Sequence, residues 1–547
     1  MPLKKQDREF LFPLVNVIDA KSIRVDRAFS NLLLLVKTSG RPMKASKKEL
    51  IRIADLTQKI RADSSHFAGL DDDSLTLLAR WIESDFADIV ATGGGRGGAY
   101  GEPILAGLKP LHIDVTKLQH PRYARDFGTS RLLYNIISQS PKVDGKTPVL
   151  LDIFRGYFGI GSRDDHYDGS DLDAETLMLM RLLDHYDFDR YSLRDKEPFY
   201  SPLCVAETML LNDDLMRLFV YQGHVPRREL LRYLLTITRF HLALYTFKVI
   251  RIINGFVEGG PLCAGYCRCD PLQIDPCPNC PYKLDIFVDL VETKSPTYEL
   301  AQKKVQKHYA EMSRYLKSHL RLKKLDEFAQ WLVDRGHLLE EERPSSLQDI
   351  LALQSHEKVG TYFESRIESL LADIHDEDNK DRYTAISKMG LPALETFIEM
   401  LYGPGLRLKQ NRSLHIKMLD SFCGKNQDGG FLFVGKGRAG RRYVLGTELL
   451  ETLVQIAVID YKRSGGHPEF RTKGLTISDF VVWLKNRYGI LIDEFSESVD
   501  SVDMAQAMRH NYQALKTRLR QLGFYTDLSD ASNTQLIQPR FRVISSQ

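Results

Sequence analysis

This chain of 547 residues has no long uninterrupted apolar run. The longest candidate, Leu230 to Phe256, carries Arg232, Arg239, His241, Lys248 and Arg251. Charges at those intervals argue against a bilayer span and for a buried or amphipathic helix. The start holds only short apolar pieces broken by Pro13 and Asp19, so no signal peptide is expected. Together these absences predict a cytoplasmic protein without a membrane partner.

A dominant charge is missing too. Lys and Arg total 75 against 72 Asp and Glu, leaving +3, so any nucleic-acid partner must be met by local patches. Cysteine is scarce at seven residues, with Cys204 and Cys423 standing alone. That pattern fits a reducing compartment better than a disulfide framework. Internal repeats, Gly-x-Ser-x-Gly elbows, His-Glu-x-x-His helices and dinucleotide fingerprints are all missing, which removes the commonest catalytic signatures. The run Thr92 to Gly98 is glycine-rich but lacks a following Gly-Lys-Ser/Thr, and reads as a surface loop.

What is present begins with the remaining five cysteines, Cys263, Cys267, Cys269, Cys277 and Cys280, within eighteen residues. Four thiolates from two short loops can enclose one tetrahedral Zn²⁺. Cys277 and Cys280 have knuckle spacing, while Cys263, Cys267 and Cys269 compete for the other two places. A structural zinc is expected; an iron–sulfur cluster is the rival. A second cation candidate is the acidic run in which Asp164, Asp168, Gly169 and Glu175 take the first, fifth, sixth and twelfth places of a calcium loop. His166 at the third place opposes it, and a solvated loop is the expectation.

A 43% hydrophobic content allows a large core and several domains. The composition shifts predict a mixed α/β domain over 1–160, a helical domain over 161–258 and a cysteine-rich metal segment with a strand over 259–295. A helical domain with a basic helix follows over 296–402, then a C-terminal hairpin plus winged-helix-like module over 403–547. The fold class is mainly α with small β elements. Pro226 and Gly255 bracket one long helix, in which His241 is expected to be a packed core residue. Pro296 opens another, with Lys303, Lys304, Lys307, Arg314, Lys317, Arg321, Lys323 and Lys324 against only Glu299 and Glu311. Eight cations at that spacing cannot share one side, although they give the helix a positive field.

The C-terminal part supplies the remaining candidates. A hairpin between Gly430 and Gly446 carries Lys436, Arg438, Arg441 and Arg442 around its tip. A helix begun at Thr476 ends at Gly489, another ends at Gly523, and two strand-like pieces follow. Helix, helix, hairpin is the order of a winged helix, whose second helix enters the major groove in DNA-binding relatives. That helix offers Arg509, Asn511, Gln513, Lys516, Arg518 and Arg520, with Arg540 and Arg542 by the wing. Double-stranded DNA is the expected partner; a winged helix used only for protein contacts is the alternative.

A catalytic alternative rests on Asp289, Glu292 and Lys294 at a strand end. Glu-x-Lys with a second carboxylate is half of a Mg²⁺-dependent nuclease signature. No room is left before Lys283 for the preceding core strand, so a non-catalytic role is favoured.

The ending FVVWLKNRYG through LRQLGFYTDLSDASNTQLIQPRF, with the segment CAGYCRCDPLQIDPCPNC, resembles large subunits of bacterial anti-phage defence systems linked to DNA methylation. The resemblance implies a non-catalytic partner that helps an ATPase, methyltransferase or nuclease engage DNA, working beside other protein subunits.

Overall fold

The computed structural model describes residues 10–543 apart from 46–49, 63–68, 92–102, 144–146, 162–171, 185, 187–190, 263–279, 292–294, 375–376, 404–407, 437–439, 465–466, 495–501 and 526–535. Helix accounts for 60% and strand for 8%, so the architecture is mainly α with small β elements. The glycine-rich run from Thr92 and most of the Asp164 to Glu175 run lie outside the described residues.

Three N-terminal helices, α1 (Val25–Lys37), α2 (Thr129–Ile137) and α3 (Val149–Tyr157), are strongly amphipathic and bury their apolar faces together. Phe29, Phe154 and Phe158 meet there with ring centroids 5.5 to 5.7 Å apart. The antiparallel pair β1 (Ala87–Ala91) and β2 (Pro103–Leu108), bulged between Asp88 and Ile89, lies beside them.

The centre is built from α4 (Val205–Phe219), α5 (Arg227–Val257) and α6 (Pro296–Asp334). Pro226 supplies the residue before the first turn of α5, and nearly every face of that helix is buried. By length and composition α5 could cross a membrane, but 83% of its apolar window is buried inside this fold. Its all-round hydrophobicity is that of a core helix. Ser295 caps α6 by accepting from the Tyr298 N–H, with Pro296 at the first position. At 39 residues, α6 is about 58 Å long and packs against α5.

After α6 come α7 (Val359–Ala372), α8 (Ala393–Tyr402) and α9 (Leu408–Phe422). The C-terminal part begins with α10 (Thr447–Ala457), α11 (Ile477–Tyr488) and α12 (Val502–Gln521). Its strands form small pairs: β3 (Ile286–Phe287) with β9 (Ile490–Leu491), β4 (Leu432–Val434) with β5 (Arg441–Tyr443), β6 (Ile459–Ser464) with β7 (His467–Thr472), and β8 (Leu475–Thr476) with β10 (Leu536–Ile537). Of these four pairs only β3–β9 is parallel, aligning Ile490 with Ile286 and Leu491 with Phe287. Gly489 makes that pairing possible. It ends α11 with φ +74, and a Cβ there would stand 2.1 Å from the Leu284 carbonyl oxygen. Buried side chains from Phe12 to Val543 join one continuous core, with a small satellite of Phe287, Leu300, Ala301, Leu491 and Met508 under α12.

Candidate nucleic-acid interface

The cations of α6 divide between two environments. Lys304 is buried against Asp285, and Lys324, equally buried, meets Glu327 at 2.8 Å. Farther along, Arg314 pairs with Glu258 at 3.3 Å, Lys317 with Glu399 at 2.6 Å and Arg321 with Glu395. These three ion pairs line a cavity of about 200 Å³ between α6, the end of α5 and α8. Lys303 and Lys307 are exposed. Much of the positive field predicted for this helix is therefore neutralised within the fold.

The β4–β5 hairpin lies on α6. Arg441 pairs with Asp420 at 2.9 Å, and Asp420 also accepts from the Tyr309 hydroxyl at 2.8 Å. Burial disfavours the Arg441 charge, yet the Asp420 hydrogen bond and field hold its pKa above the ordinary value. Arg442 is buried, with its guanidinium between Phe433 at 4.4 Å and Tyr298 at 4.7 Å and Nε 3.4 Å from Asp289. Arg438 lies outside the described residues.

Asp289 is fully buried. Its Oδ1 accepts from the Thr297 hydroxyl at 2.9 Å and its backbone N–H donates to the Tyr443 carbonyl at 3.0 Å. The remaining members of the nuclease alternative, Glu292 and Lys294, lie outside the described residues, as do Cys263, Cys267, Cys269 and Cys277. Cys280 is half-buried. Among the described residues no group of three or more His, Cys, Asp or Glu side chains is placed to hold a metal.

Helix α12 separates its polar residues by face. Asn511 is fully buried and bridges the two chain segments that continue from the parallel pair. Its Oδ1 accepts from the Leu290 N–H at 2.7 Å, while Nδ2 donates to the carbonyls of Val288 at 2.9 Å and Ile492 at 2.8 Å. Arg518 donates to the carbonyls of Leu445 at 2.7 Å and Leu290 at 3.3 Å. Asn511 and Arg518, both offered by the sequence for DNA binding, use these groups to hold the helix to the core. Arg509, Gln513, Thr517 and Arg520 are exposed, with Lys516 half-buried near the Tyr512 ring. Positions four, seven, eight and eleven residues apart fall on one helical face. No acid occurs from Met504 to Gln521. Arg540 pairs with Glu451, donates to the Leu522 carbonyl at 2.9 Å and lies over the Phe524 ring; Arg542 is exposed.

A buried polar network fastens this part to the centre. His241 on α5 stands between Glu207 at 2.6 Å and Asp214 at 2.7 Å, both on α4. Lys248 meets the second oxygen of Glu207 at 2.5 Å. Arg487 of α11 and the Tyr488 hydroxyl both reach Asp214, the latter at 2.6 Å. Desolvation opposes every charge here, but the partners prevail: the His241 pKa is raised by its hydrogen bonds to Asp214 and Glu207, and Asp214 is lowered to about 2 by Arg487 and His241. Sequence reading placed His241 in the core but missed its carboxylates. The signal was a seven-residue interval in both helices, Glu207 to Asp214 and His241 to Lys248, which sets each pair on one face.

These features define a mainly helical protein built on one continuous core, with exposed Arg509 and Arg520 on a surface helix that carries no acid from Met504 to Gln521. The chain belongs to the family described as methylation-associated defense system protein MAD7, which it matches over residues 5–541. It is thus a defence-system protein, as the sequence resemblance implied. No curated protein and no solved structure matches it.

Proposed function

We propose that this chain is the non-catalytic subunit through which a methylation-associated defence complex engages double-stranded DNA, with α11, α12 and the returning strand β10 acting as a winged-helix module. The observation that carries this reading is the charge on the outer face of α12. Arg509 and Arg520 are exposed there with Lys516 between them, and the sequence from Met504 to Gln521 contains no acid. On α6, Arg314, Lys317 and Arg321 each meet an acid within the fold. The antiparallel pairing of β8 with β10, and the Gln538 N–H donating to the Phe524 carbonyl at 2.9 Å, support the winged arrangement. Lys303 and Lys307 of α6, which packs against α12, would extend the basic surface. A structural zinc held by four of the five clustered cysteines belongs to the same reading, as do protein partners of the defence complex.

Binding of the full chain to a duplex at low salt tests the proposal. Affinity should fall steeply as salt rises, since phosphate contacts release counterions. Replacing Arg509, Lys516 and Arg520 with Glu should abolish binding. Absence of duplex binding at low salt, or indifference to those replacements, would overturn it. Mg²⁺-dependent cleavage would favour the nuclease alternative.

A further inference from the structure

The outer face of α12 is more selective in composition than a phosphate-binding surface requires. Arg509 and Arg520 lie toward its ends, and between them stand Gln513 and Thr517, one helical turn apart. The Thr517 hydroxyl donates to the Gln513 carbonyl at 3.1 Å, which turns the oxygen back onto the helix and leaves the methyl as its outward group. Gln513 is exposed. The one large apolar side chain that α12 exposes among the described residues is Val502 at its start, so this face is poorly suited to docking a protein. Behind it, Asn511 and Arg518 fix the helix to four backbone carbonyls and one N–H. Such support from the reverse side pre-organises an exposed reading surface.

We propose that Gln513 and Thr517 together read an adenine and a nearby thymine through the major groove, and that methylation of that adenine at N6 weakens the contact. The inference rests on the DNA-engaging reading of α12. A glutamine carboxamide matches adenine with two hydrogen bonds, its oxygen accepting from N6–H and its nitrogen donating to N7, while a threonine methyl packs on the thymine methyl. The four-residue step from Gln513 to Thr517 rises about 6 Å and base pairs are about 3.4 Å apart, so the two side chains fall one to two base pairs apart. In a base pair one adenine N6–H is held by thymine, leaving one for the groove. An N6-methyl group takes that place, removing the donor that the Gln513 oxygen needs and adding bulk against it. Arg509 and Arg520 would meet phosphates on either side.

The test uses the full chain and a pool of random duplexes, followed by titration of the enriched site with and without N6-methyladenine. Enriched sites should share an adenine with a thymine within about two base pairs. Methylation should weaken binding about tenfold, and Gln513→Ala should reduce affinity for the site to that of a scrambled duplex. Binding without enrichment, or equal affinity for the methylated site, would overturn this inference while leaving DNA binding in place. No duplex binding at low salt would instead remove the reading on which it rests.

Discussion

Asp214 and Arg487 lie 273 residues apart in sequence and meet in the core, with the guanidinium Nε 3.1 Å from the carboxylate oxygen and both side chains essentially without solvent exposure. The contact joins α4 to α11. A buried pair of this kind adds little over a well-packed apolar pair, but removing Arg487 leaves the buried Asp214 carboxylate with only His241 and Tyr488 against its desolvation. Arg487→Met is expected to destabilise the protein by about 3–5 kcal/mol, read as a lower denaturation midpoint in urea. The double variant Asp214→Leu/Arg487→Met should recover part of that stability.

His241 gives the same network a pH dependence. Its folded pKa is raised above the ordinary imidazole value, so its stabilising contribution is full below about 6.5 and is lost as pH rises through the folded pKa. Asp214, lowered to about 2, contributes above the ordinary carboxylate range and loses that contribution as pH falls towards about 2. Thermal midpoints measured across pH should therefore fall on both sides, and His241→Gln should flatten the alkaline side.

Gly489 should resist substitution. An alanine would need a left-handed backbone and would press its Cβ against the Leu284 carbonyl. Gly489→Ala is expected to cost more than about 1 kcal/mol and to loosen the β3–β9 pairing, seen as faster amide exchange at Ile286 and Val288, whose N–H groups donate to Gly489 and Leu491.

Two sets of cations should behave differently. Glutamine at Arg314, Lys317 and Arg321 breaks three ion pairs and should alter stability modestly while leaving duplex affinity unchanged. Glutamine at Arg509, Lys516 and Arg520 should leave stability nearly unchanged and reduce the salt slope of binding by about 0.9 for every phosphate no longer neutralised. Equal effects of both sets on DNA binding would contradict the division proposed for α6 and α12.

The cysteine segment makes a direct prediction. The purified chain should carry about one zinc per molecule, as expected of a four-thiolate site, and Cys280→Ser should lower that content in metal analysis. Iron with its visible absorption would instead identify a cluster.

Much of the helical framework is legible in local sequence. Ser295 with Pro296 opens α6, Gly489 closes α11, and Pro226 precedes α5. Asn511 shows what residue type alone does not reveal, its burial against backbone groups of the core. Its chemistry is that of a base reader, but it lies on the same stripe as Met508, Leu515 and Leu519 and is buried with them. The period contained that information; the residue type concealed it. The basic character of α6 is equally plain in the sequence, whereas the acids that neutralise part of it, Glu258, Glu395 and Glu399, come from distant segments.

The sequence by itself determined where helices begin and end and which stripes are apolar, because caps, prolines, glycines and the 3.6-residue period act over only a few residues. Only the tertiary structure decided which polar side chains became internal fasteners and which remained on the surface. Asp214 with Arg487, and Asn511 with the segments beside β3 and β9, acquired their roles through burial beside partners hundreds of positions away. In a low-dielectric interior a charge or amide must find such a partner, and no local pattern specifies which one it meets.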